Sequence, residues 1–250
     1  MHVRDGSILA TIGVLVLAAF FALSPSATLP ANPPGGDKPA DLAPFLEFAK
    51  YYVTPVDAKK DGRTGFVVGD KNDTALIRSL KEINGRTISE LEKDMRPGVK
   101  SDVGSRAGFL GPDEKLLDVM AADNKYVVDD LGLTHQELAK HLHAIGSIGR
   151  WQAWEHRRFE YEFVYHGRRF KATTLVSKGF QPSPFRDGTQ SGTDVTVENL
   201  DTGKKLTYAL LVPYLIERYG FYEGKGTSYR VEPSTVLEVF DFLGRKAKKR

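Results

Sequence analysis

The 250-residue chain contains no cysteine. It therefore forms no disulfide, offers no thiolate to a metal, and lacks the thiol that a bacterial lipoprotein needs for acylation. Familiar catalytic signatures are missing too. EGKGTS, residues 223 to 228, has neither the glycine spacing nor the adjacent Lys-Ser/Thr pair of a phosphate-binding P-loop. SGT around Ser191 is not the strained GxSxG elbow, and the sequence implies no nearby histidine as its base. The acidic group Asp123, Asn124, Asp129 and Asp130 lacks the alternation and the glycine of a calcium loop, and reads as solvated helix ends. No internal repeat of useful length is present. Charge of one sign is scarce as well: the net charge is +3, but RKAKKR at 245 to 250 carries five positive charges, so the remainder sums to −2. Any argument for an acidic partner rests on that short tail.

The one long apolar run is ILATIGVLVLAAFFAL, residues 8 to 23. It is apolar all round, follows the amino terminus and Arg4, and has the layout of a secretory signal. Its length falls between a signal core and the roughly 17 to 25 residues of a spanning helix. Ser24 with Ser26, or Pro25 with Ala27, makes a poor cleavage site because prolines intervene. An uncleaved anchor over 1–24 is the expectation, with a cleaved signal as the alternative. Arg4 precedes the run and the first lysine after it is Lys38, so the body is expected on the exported side. That places the protein in the cell membrane as a single-pass protein, or, after cleavage, in the periplasm or medium.

Residues 25–44 form a proline-rich linker. From 45 to 149 the signals are helical. Asn72 or Asp73 can cap TALIRSLKEI, Asn84-Gly85 can end it, and TISE at 87–90 and THQE at 134–137 have the spacing of capping boxes. The second box opens a helix with Leu138, Leu142 and Ile145 on one face. From 150 to 244 the period shifts to two. RFEYEFVYHGRRFKATTLV reads as a hairpin turning at His166-Gly167, with Phe163 opposite Phe170, Tyr161 opposite Ala172 and Glu162 opposite Lys171. TDVTVENLDTGKKLTYAL reads as a second, with Val197 opposite Leu206, Val195 opposite Tyr208 and Glu198 opposite Lys205. Pro213 and Pro233 each start a helix, the first ended by Gly220 and the second running through VLEVFDFL. The expected fold is α+β, with a helical first half, an antiparallel sheet of two hairpins, C-terminal helices and a basic tail at 245–250.

His141 and His143 lie about 200° apart on their helix, so they cannot share an ion, and neither a metal nor a cofactor is expected. His135 reads as a partly buried end residue. LGLTHQELAKHL, residues 131 to 142, resembles the opening of the helix-turn-helix in small phage-repressor-type DNA-binding domains. The resemblance implies a second turn and a recognition helix where HAIGSIGRW stands, and no nucleic-acid partner is expected. The basic residues around 157 to 171 share a strand face with Glu160 and Glu162, which makes a balanced solvated surface.

Two glycine-rich segments remain, FQPSPFRDGTQSGTD at 180–194 and GFYEGKGTSYR at 220–230. They are expected to form one binding surface. Arg186, Lys225 and Arg230 would supply cationic donors, Asp187 an acceptor, and Tyr222 and Tyr229 flat faces, a set suited to an anionic or sugar-bearing ligand or an envelope protein partner. The expected function is non-catalytic binding in the envelope. The alternative is a hydrolase of envelope polymers using Asp187, Asp194 or Glu223.

Overall fold

The structure is a computed structural model that describes residues 40–41 and 74–247. The apolar run, the linker up to residue 39, the capping residues 72 and 73 and the last three residues of the tail lie outside them. Among the described residues no helix is long and apolar enough to cross a membrane.

The fold is α+β. Its centre is a five-stranded sheet in the order β1 (Ala40–Asp41), β4 (Glu160–Tyr165), β5 (Arg168–Pro182), β6 (Gln190–Asn199), β7 (Lys204–Ala209). β1 pairs parallel to β4 and the rest are antiparallel. Both hairpins have the registers that their side chains require. Phe163 faces Phe170, and Val197 faces Leu206, on the buried side, while Glu162–Lys171 and Glu198–Lys205 fall on the other. At the first turn His166 and Gly167 both have positive φ, 50° and 71°, which matches the twist of the flanking strands.

The buried face is covered by α4 (His135–Glu155), opened by the Thr134/Glu137 capping box. A Cβ on Gly149 would stand 2.6 Å from Thr174 Oγ1, so this glycine lets the helix lie against β5. α4 runs unbroken through HAIGSIGRW, so the repressor-like opening leads into no second turn. A second core joins α1 (Thr74–Ser79), α2 (Ile88–Asp94) and α3 (Leu116–Asn124) to α5 (Leu211–Tyr219), with Phe185 inserted from the β5–β6 tip. α3 continues into a π-helical turn, Lys125–Asp130. α5 begins two residues ahead of Pro213 and ends at Gly220, whose φ is 60°.

Three local expectations are corrected. Asn84-Gly85 does not end the preceding helix, which stops at Ser79. It turns a small hairpin, β2 (Glu82–Ile83) with β3 (Arg86–Thr87), because both residues take positive φ. The last helix is two, α6 (Pro233–Val239) and α7 (Asp241–Ala247), broken at Phe240, whose ring is buried against Phe170 and His141. The acidic group at 123–130 is only half solvated. Asp123 and Asn124 are buried, the first against Arg230 and the second against His135.

Candidate functional site

Much of 180–194 is strand rather than loop, since β5 extends to Pro182 and β6 starts at Gln190. The strands shift register between Val176 and Gln181, and a Cβ on Gly192 would meet the Gly179 carbonyl oxygen at 2.0 Å. Only glycine at 192 allows this close approach. The tip, 183–189, is pinned inward. Phe185 stacks on Tyr219 with centroids 3.9 Å apart, and Asp187 accepts from Tyr219 Oη at 2.6 Å, Ser183 Oγ at 3.2 Å and the Thr189 amide at 3.0 Å. Arg186 donates to Asp94 at 2.9 Å and also to Asp102, tying the tip to α2 and to the loop after it.

In 220–230, Tyr222 is fully buried and its hydroxyl donates to His135 Nδ1 at 2.9 Å. The other ring nitrogen of His135 donates to Asn124 Oδ1 at 3.1 Å, and burial pushes the imidazole down to about 4, so it is neutral. Arg230 is enclosed, its side chain only 5% exposed. It reaches Asp123 at 2.7 Å, Glu232 at 2.6 Å and the backbone carbonyl of Glu223. Lys225 is exposed, and its amide donates to Glu114 at 2.8 Å. Tyr229 is exposed at the rim, and its hydroxyl donates to Asp194 at 3.1 Å.

The two segments do meet, in a half-open cleft of about 270 Å³. Of the six residues singled out for binding, Tyr229 alone lines it. The arginines and Tyr222 are taken up by internal partners, and Asp187 by the tip. The other ionisable lining groups are Asp194, from β6, and Glu223. Phe180 stands beside them with two thirds of its surface exposed. Ser105, Ser177 and Ser191 add hydroxyls, and Phe109 and Leu211 form an apolar wall. Among the described residues no lysine, arginine or histidine lines it.

Glu223 is the unusual group. It is 3% exposed, holds a φ of 65°, and burial pushes its carboxyl up to about 8 against the opposing pull of Thr227 and Arg230. Thr227 Oγ1 lies 3.0 Å from Glu223 Oε2 and 2.9 Å from the Gly224 carbonyl. A hydroxyl has one proton to give, and the carbonyl can only accept, so a protonated Glu223 satisfies both contacts by donating to Oγ1. Glu223 Oε1 has no hydrogen-bond partner among the described residues. Burial also raises Asp194, opposed by the Tyr229 hydroxyl.

His141 and His143 go separate ways, to Tyr165 Oη at 2.6 Å and Glu217 Oε2 at 2.9 Å. Among the described residues no cluster of three or more His, Asp or Glu could hold a metal. Sequence reasoning reached Asp194 and Glu223 only through the hydrolase alternative, and it missed Ser105, Phe109 and Ser177. Nothing in the local pattern of those three marks them, since distant segments bring them together. Comparison with protein-family models, curated proteins and solved structures returns no match.

Proposed function

We propose that this protein is a non-catalytic binding protein of the cell envelope, tethered by residues 8–24 with its body exported, and that the cleft between the β5–β6 extension and the 220–230 segment takes a small hydroxyl-bearing ligand. The observation that carries the reading is the lining. Serine hydroxyls, the carboxyls of Asp194 and Glu223 and the Tyr229 hydroxyl set donors and acceptors around one half-open cavity with an exposed ring at its mouth. With no basic side chain among the described residues of the lining, a sugar-like ligand is favoured over an anionic one. The tether rests on the apolar run and on Arg4 alone. The test is a saccharide titration of the intact chain in detergent, read by backbone amide shifts. Binding lost on Asp194→Ala supports the reading. Binding unaffected by that change removes the cleft from it.

A hydrolase is the second reading, favoured by one observation: Glu223 holds a proton near neutral pH in the same cleft as Asp194, the division of labour between an acid and a base. In that case Glu223→Gln would abolish turnover of a polymer that the variant still binds. Equal and negligible turnover by wild type and variant keeps the binding reading.

A further inference from the structure

We propose that the ligand of this cleft carries a protonated amine, seated between Asp194 and Glu223 under the rings of Phe180 and Tyr229. The inference rests on the cleft being the binding site and names the class of ligand it takes. Among the described residues, every ionisable group in the lining is of acidic type, with no described cation beside the Asp194 carboxyl. The nearby arginines are already committed, Arg186 to Asp94 and Asp102 and Arg230 to Asp123 and Glu232. A partly desolvated carboxylate without a counter-charge is costly, and burial accordingly raises Asp194.

Glu223 supplies the second, independent observation. It is almost wholly buried, yet it contributes to the cleft wall, and Oε1 is left without a partner in the protein among the described residues. That oxygen accepts a hydrogen bond whether or not the carboxyl is ionised, which suits an ammonium donor. The ring faces act in the same direction, because a cation over Phe180 or Tyr229 is attracted by the ring quadrupole. A metal ion suits the cleft less well, since two carboxylates beside bulky rings fall short of the six to eight oxygens that calcium takes. Seating a cation next to Glu223 also favours its ionised form, so binding below about pH 8 releases a proton from this residue.

Glucose and glucosamine differ at one position, a hydroxyl against an amine, and provide the matched probes. Each is titrated calorimetrically into the intact detergent-solubilised chain at pH 6, where the amine is protonated. Glucosamine is expected to bind at least tenfold more tightly than glucose, and Asp194→Asn to remove that preference. Repeating the titration in two buffers of different ionisation enthalpy should show proton release that Glu223→Gln abolishes. Glucose binding as tightly as glucosamine would overturn the charge requirement while leaving the cleft as a saccharide site. Failure of both sugars to bind wild type would overturn the cleft reading together with this inference.

Discussion

Arg186 and Arg230 have similar neighbourhoods in sequence, each beside an aromatic residue in a glycine-punctuated segment, and opposite fates in the fold. Arg186 lies near the surface, its side chain 27% exposed, and bridges Asp94 and exposed Asp102. Arg230 is sealed inside, with Asp123 beneath it and Glu232 alongside. Neither presents its charge to a ligand. The difference separates a surface staple from a buried one, and it explains why the cleft between the two segments is acidic. The cations are spent holding the segments in place, and Asp194 and Glu223 remain among the residues that line the cleft.

The sharpest way to break the comparison is to delete each guanidinium. Arg230→Ala leaves Asp123 buried without a partner, and removing one member of a buried pair costs about 3 to 5 kcal/mol. Urea unfolding should show this as a large fall in midpoint. Arg186→Ala should cost less, about 1 kcal/mol, because Asp102 is exposed and screened and buried Asp94 keeps Arg86 as a partner at 3.3 Å. Equal losses at the two sites would mean that burial does not divide them.

Next in size is the pH dependence of Glu223. Its folded pKa of about 8 lies above the roughly 4.3 of an unfolded glutamate, so the folded state keeps a proton that the unfolded chain has released. The associated stability is complete below about pH 4.3, declines as pH rises toward 8, and is flat above, with a slope on the order of 1 kcal/mol per pH unit. The difference between wild type and Glu223→Gln, measured by urea unfolding from pH 5 to 9, should carry that slope. A pH-independent difference would place Glu223 among ordinary ionised carboxylates.

Gly192→Ala probes the other wall of the cleft. A Cβ there collides with the Gly179 carbonyl, which belongs to backbone and cannot swing away. Forcing the strands apart should cost about 1 to 3 kcal/mol and abolish ligand binding. Unchanged binding would show that the bulged crossing does not shape the site. Smallest is Asp194→Asn, which keeps the shape of a half-exposed side chain and should move stability by no more than about 0.5 kcal/mol.

The legible parts of the fold were those with local causes. Alternating side chains with opposite charges across the pair set both hairpin registers, and a Thr with Glu three residues on set two helix starts. The Asn84-Gly85 hairpin was not legible, because two-residue strands show no period. Asp123 and Arg230 lie 107 residues apart, and no local pattern marks a pairing at that distance. The site was half legible for the same reason. Its two segments stood out by composition, but which of their residues face the cleft depends on the bulge between Val176 and Gln181 and on the partners that claim the arginines.

The most direct measurement is a map of backbone amide shifts on titrating the intact chain with glucosamine. The largest changes are expected at Ser177 to Gln181, at Ser191 to Asp194 and from Glu223 to Tyr229, with the tip arginine and the buried Arg230 cluster little affected. Shifts centred on the tip residues Arg186 and Asp187 instead, with Asp194 and Glu223 silent, would contradict it and return the binding role to the loop cations.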